Sequence, residues 1–274
     1  MRIALLQMTS GIDPAANAAT IVAAIGEAAA GGATMLFTPE MSGLVDRDRL
    51  RAASSVCDET SDSVLGAVRR AAALHKIWVH IGSLAVFAEG AGDKFANRAF
   101  VIDDAGEIVA RYDKMHLFDV DLATGESWRE SNAYTAGAGP VLVDTPAGVL
   151  GLSICYDLRF PALYAAYSAA GATLLAIPAA FTVPTGLAHW HVLMRARAIE
   201  NACFVIAAAQ AGHHEDGRET YGHSLVVGPW GDVLLDMADA TGVGFCDIDL
   251  AEIGETRSRV PVIAHRRTIE AAIR

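Results

Sequence analysis

The stretch GLSICYDLRFP, Gly151–Pro161, decides how the rest of the chain is read. An apolar run (Val149, Leu150, Leu152, Ile154) climbs to a thiol at Cys155, then turns polar through Asp157 and Arg159 before Pro161. Proline suits the first turn of a helix, where its missing N–H would lack a partner anyway. The pattern predicts a strand-to-helix elbow with the thiol at its bend. Such a bend exposes one side chain and leaves the following backbone N–H groups free, which suits a nucleophile beside an oxyanion site. A free cysteine is also commonly a small buried apolar residue, so Cys155 by itself settles nothing.

Working outward, the strand that delivers Cys155 forms a hairpin, Pro140–Asp144 with Gly148–Ile154, and Pro161–Ala170 reads as the helix after the elbow. Towards the N-terminus, Arg2–Met8 is a buried strand. It precedes a helix over Pro14–Ala30, with Asp13 as cap and Gly31-Gly32 as stop. Ala33–Phe37 is an apolar strand ending in Thr38-Pro39-Glu40, and Ser61–Lys76 is an amphipathic helix before a Trp78–Val86 strand. Asn97–Ile102 and Glu107–Tyr112 form a hairpin across Asp103-Asp104-Ala105-Gly106, and the second strand ends at Asp113-Lys114. After the elbow come an Ala172–Pro178 strand, a Leu187–Ala202 helix and strands at Phe204–Ala209, Ser224–Val227, Val233–Leu235 and Gly244–Ile248. Helices alternating with strands, interrupted by hairpins, predict an α/β domain whose sheets are covered by helices on their outer faces.

The 274 residues carry no linker, charge block or repeat, so one domain, 1–274, is expected. A net charge of −11 with scattered Lys and Arg argues against nucleic acid or an anionic membrane surface as partner. Cys57, Cys155, Cys203 and Cys246 lack paired spacing, and no signal-like segment is seen, so free thiols in the cytoplasm are expected. Phe160–Met194 contains no Asp, Glu, Lys or Arg. Pro161, Gly171, Pro178 and Pro184 divide it, so it reads as buried elements rather than a membrane span.

A carboxylate, an ammonium and a thiol thus stand at three strand ends, where open α/β sheets bind ligands. FTPEMS around Glu40, YDKMHLFDVD around Lys114 and GLSICYDLRFP around Cys155 resemble, in order and interval, the three signature segments of the nitrilase (carbon-nitrogen hydrolase) superfamily. That resemblance implies a four-layer α-β-β-α sandwich and a catalytic triad of Glu40, Lys114 and Cys155. Glu130, sixteen residues after Lys114, would orient the lysine and the substrate nitrogen. Tyr156 would supply an oxyanion N–H, and Arg159, Phe181 and Thr185 would bind substrate, with Arg159 and Thr185 on its carboxylate. Lys114 is expected to favour the Cys155 thiolate.

Ala207-Ala208-Ala209-Gln210, Gly212-His213-His214-Glu215, Tyr221-Gly222-His223-Ser224 and Pro229-Trp230-Gly231 are similar to the deaminated glutathione amidase branch. The implied reaction hydrolyses a terminal carboxamide of a 2-oxo acid through a Cys155 thioester, with release of ammonia. The alternatives are an ω-amidase for 2-oxoglutaramate or succinamate and a broader carbamoylase or aliphatic amidase. Outside that reaction stand a Cys-His hydrolase using His116 and a silent binding scaffold. No cofactor is implied, and His213, His214, Glu215, Asp216 and His223 match no standard metal spacing. The partner is a small amide. The resemblance also implies a homodimer through the helices at Pro161–Ala170 and Leu187–Ala202, with a C-terminal tail from about 250 packing on the dimer. The Trp190, Leu193, Met194 stripe is read as packing.

Overall fold

Along Arg2–Gln7 (β1) alternate side chains enter two different cores, Ile3 and Leu5 one and Ala4 and Leu6 the other. A strand buried on both faces needs a layer on each side. The computed structural model, which describes all residues except 89, 91, 122–124, 126 and 270–274, supplies both layers. After β1 come α1 (Pro14–Ala30), β2 (Met35–Phe37), α2 (Arg49–Ser55), α3 (Ser63–His75), β3 (Trp78–Phe87), β4 (Phe95–Ile102) and β5 (Ile108–Asp113). Next are a short hairpin, β6 (Asp119–Asp121) and β7 (Ser127–Arg129), then β8 (Leu142–Thr145), β9 (Gly148–Leu152), α4 (Pro161–Ala169) and β10 (Leu174–Ala176). The chain continues with α5 (Val183–Asn201), β11 (Phe204–Ala207), a second hairpin of β12 (Ala211–His213) and β13 (Glu219–Tyr221), and β14 (Leu225–Val227). It ends with β15 (Val233–Asp236), β16 (Gly242–Asp247) and α6 (Ala251–Arg259).

Two six-stranded sheets form, ordered β16-β1-β2-β3-β4-β5 and β15-β14-β11-β10-β9-β8. Ile21, Ile25, Val64 and Val68 of α1 and α3 cover the outer face of the first sheet, while Trp190, Met194 and Tyr164 of α5 and α4 cover the second. Leu5, Phe37 and Val101 of one sheet meet Leu152, Ala176 and Ile206 of the other between them. The order of layers is α-β-β-α in a single domain, as expected. Asp13 caps α1 through its side chain, Gly31 and Gly32 end it, and Lys76 closes α3 in the left-handed conformation. No helix among the described residues is long and apolar enough to cross a membrane.

One expectation shifts. The helix expected from Leu187 begins at Val183, with Pro184 in its first turn and Thr182 as the preceding extended residue, so Thr185 lies on the helix rather than in a loop. α2 has no buried residue, and α6 buries only Ile253 and Thr256, so neither carries a full apolar stripe. Within the chain, Arg257 donates to Ala172 O at 2.8 Å and Arg266 to Ala165 O at 2.7 Å, which ties the C-terminal stretch to the β10 and α4 region.

Candidate active site

The elbow at Cys155 is built by its own sequence. The buried carboxylate of Asp157 accepts from Ile154 N (2.9 Å), Tyr112 Oη (2.7 Å) and His116 N (3.0 Å), tying the bend to β5. Cys155 is left at φ 48°, a left-handed conformation that costs a non-glycine residue roughly 1–3 kcal/mol and persists only where the surroundings fix it. Cys155–Arg159 is a 3-10 turn leading into α4. Tyr156 N–H, in its first turn, has no helical acceptor.

Glu40 and Lys114 follow β2 and β5 and converge on this bend. Gly82 of β3 makes the approach possible: a Cβ there would stand 2.2 Å from Thr38 O, 2.4 Å from Pro39 O and 2.5 Å from Pro178 Cβ. Lys114 Nζ donates to Glu40 Oε1 (2.9 Å) and to both oxygens of Glu130 (3.0 and 2.9 Å). Glu40 also accepts from Ala180 N (3.0 Å), Glu130 from Phe118 N (2.7 Å), and Asn97 Nδ2 reaches both carboxylates (3.0 and 3.2 Å). The Cys155 thiol lines the same cavity as Glu40, near enough to feel the carboxylate charge. Asn97 was missed in the sequence; its one signal is being an amide beside Arg98 in a β4 that is apolar at all its other positions.

Burial opposes the Lys114 charge, but Glu130 and Glu40 more than compensate and hold the ammonium well above its ordinary pKa. Burial likewise opposes the Glu40 charge, yet the Lys114 charge and hydrogen bonds from Lys114 and Asn97 keep the carboxyl below its usual range. Burial pushes the Cys155 thiol well up, and the Glu40 charge adds to this against Lys114. Lys114 favours the thiolate, as expected, but burial and the Glu40 charge outweigh it. The direction of both shifts makes the resting pair a thiol and a carboxylate.

A cavity of about 470 Å³ is lined by all eight residues singled out in the sequence: Glu40, Lys114, Glu130, Cys155, Tyr156, Arg159, Phe181 and Thr185. Arg159 holds its guanidinium 5.5 Å from the centre of the Phe181 ring and meets His189 Nδ1 at 3.3 Å, with no carboxylate partner among the described residues. Thr185 Oγ1 lies 2.8 Å from Thr182 Oγ1. His116 stays out of the lining: it stacks on Phe160 (3.6 Å between ring centres) with Nδ1 on Asp157 (2.7 Å), which removes support for a Cys-His pair. His214 is buried between Ser10 O and Thr220 Oγ1 (both 2.8 Å) and so serves the fold.

A carbon-nitrogen hydrolase profile matches residues 2–258, nearly the whole length. The chain belongs to the carbon-nitrogen hydrolase family. It is 38% identical to the deaminated glutathione amidase of Yersinia enterocolitica over 99% of this chain and 94% of that one. The crystal structure of the Caenorhabditis elegans NitFhit protein superposes with a TM-score of 0.90 at 39% identity over 97% of this chain, which spans 65% of that longer protein. A mutant of the amidase from Nesterenkonia sp. AN1, solved after Michael addition of acrylamide at its active-site cysteine, matches with a TM-score of 0.79 at 28% identity, covering 95% of this chain and 98% of that one. This carbon-nitrogen hydrolase is thus a hydrolase acting on amides.

Proposed function

We propose that this carbon-nitrogen hydrolase cleaves deaminated glutathione through a thioester on Cys155. The observation that carries the reading is the buried Glu40–Lys114–Glu130 cluster against the Cys155 thiol, in a chain whose full-length relative bears that activity in its name. Glu40 takes the thiol proton as Sγ attacks the amide carbonyl. Moving a proton from a thiol with a raised pKa to a carboxylate with a lowered one is uphill, so transfer accompanies C–S bond formation. The oxyanion meets the Lys114 ammonium and Tyr156 N–H, donors whose removal typically costs about 3 kcal/mol of transition-state stabilisation each. Collapse passes the proton from Glu40 to the departing nitrogen. Glu40 then activates water to hydrolyse the thioester, while Glu130 keeps Lys114 charged and aimed.

Deaminated glutathione changes one detail of the expected reaction. Both amides of glutathione join residues, and neither is a terminal carboxamide. Cleavage next to the 2-oxo acid therefore releases the amine of cysteinylglycine, not ammonia. The five-carbon acyl group left on Cys155 is the one that 2-oxoglutaramate would give, with Arg159 supplying planar recognition of its carboxylate. The test is product analysis: 2-oxoglutarate and cysteinylglycine in equal amounts from wild type and neither from Cys155→Ala.

A homodimer in the cytoplasm completes the proposal. Val192 (68% exposed) and Ile199 (48%) share a face of α5, and Trp230 (54%) is exposed beside them, as expected of an apolar surface between copies. Val192→Glu should give a monomer by sedimentation if this face is the interface.

A further inference from the structure

We infer that Arg47, Trp128 and Arg218 form a second anion-binding subsite of the cavity, one that takes a carboxylate on the leaving-group side of the amide. The inference rests on the reading of the chain as a deaminated glutathione amidase. Although the chain carries a net charge of −11, the cavity outside its catalytic cluster is lined by five arginines and only two carboxylates, Asp46 and Glu219. Asp46 is occupied by Arg51, at 2.6 and 2.8 Å. Arg159, on the same turn as Cys155, belongs to the acyl side. A second cationic group is assembled elsewhere, where Arg47 and Arg218 place their guanidinium carbons 5.5 and 5.3 Å from the Trp128 ring centre.

The two guanidinium carbons are at most about 11 Å apart, so their positive charges add in this part of the cavity. Asp216 takes only Nε (3.1 Å) and Nη2 (2.9 Å) of Arg218, and Arg47 has no ion pair with any described residue. Trp128 Nε1–H is buried with no acceptor among the described residues. Buried donors rarely go unpaired without reason, and an indole N–H with two guanidiniums near its ring is a set of donors for a carboxylate.

The reach is right. Tyr156 and Phe118 ring centres are 5.1 Å apart and those of Phe118 and Trp128 6.3 Å, so the indole lies no more than about 11 Å from the ring of the residue after the nucleophile. An extended dipeptide spans about 7 Å.

The test compares kcat/KM for deaminated glutathione and for its analogue with the terminal carboxylate converted to carboxamide, in wild type, Arg47→Gln and Trp128→Phe. Wild type should favour the carboxylate tenfold or more, about 1.4 kcal/mol. Arg47→Gln should reduce that preference to within threefold through KM rather than kcat, and Trp128→Phe should reduce it in part. Efficient cleavage of both by wild type without preference, or a preference that survives Arg47→Gln, would overturn the subsite and leave the proposed activity standing. A wild type that cleaves 2-oxoglutaramate but not deaminated glutathione would remove the proposed activity and the subsite together.

Discussion

Glu130→Gln is the most informative single substitution, because it keeps the shape of the side chain and removes its charge. Glu130 accepts four hydrogen bonds, two from Lys114 Nζ, one from Phe118 N and one from Asn97 Nδ2. Glutamine keeps one acceptor oxygen. Whichever way the amide turns, its NH₂ faces Lys114 and either Phe118 N–H or Asn97 Nδ2, so a charge-assisted bond and a second bond become donor against donor. Glu40 still pairs with Lys114, which puts the loss at about 3 kcal/mol, the lower end for breaking a buried charge pair. For a chain of this size that lowers Tm by roughly 6–12 °C. If Glu130 also holds Lys114 in its oxyanion-binding position, kcat/KM should fall on the order of a hundredfold. The assays are a thermal melt and steady-state kinetics on deaminated glutathione. A Tm within 2 °C of wild type with kcat/KM within threefold would refute the reasoning. A lower Tm with unchanged kcat/KM would confine Glu130 to the fold.

Other expectations follow from the same geometry. Asn97→Ala removes a donor that helps hold Glu40 below the usual carboxylate range. Glu40 acts as carboxylate, so activity is present above its folded pKa and lost as pH falls through it; the acid limb of the kcat/KM profile should move to higher pH, and an unmoved limb would exclude Asn97 from this role. The stability contributed by the Glu40 ion pair has the same sign, present above the ordinary carboxylate pKa and lost on acidification through the lower folded one. Gly82→Ala should destabilise by about 1–3 kcal/mol and depress activity, since two backbone oxygens lie within 2.4 Å of the new Cβ; a wild-type melt and rate would show that the Glu40 loop is not held by this contact. Alkylation of Cys155 by iodoacetamide should keep accelerating with pH beyond neutrality, because the thiol is held well above its ordinary pKa. A plateau near pH 7 would reveal a resident thiolate.

Much of this was legible before any coordinates. Asp13 and Gly31-Gly32 bound α1 because caps act through local hydrogen bonds and backbone conformation, which neighbouring residues alone determine. The three strand-end groups could be named from residue type and position, but their meeting could not, since it depends on Gly82 allowing Thr38, Pro39 and Pro178 to close together. The resemblance supplied what spacing lacks. Neither short hairpin, β6–β7 or β12–β13, was read, because three-residue strands have no measurable alternation; Trp128 lies in the first, and Arg218 immediately precedes β13. The pull of Lys114 on the Cys155 thiol was legible, but the burial and the Glu40 charge that outweigh it were not. Lys114 was visible and Glu130 was named, but a count of charges does not say that both carboxylates hydrogen-bond the same Nζ.

The central claim is tested most directly by kcat/KM for deaminated glutathione and 2-oxoglutaramate measured side by side on the same preparation. Both substrates form the same thioester, so the comparison isolates the leaving group. The account predicts a preference of tenfold or more for deaminated glutathione, with cysteinylglycine released and turnover abolished in Cys155→Ala. Equal or reversed preference would contradict it and make this carbon-nitrogen hydrolase an ω-amidase.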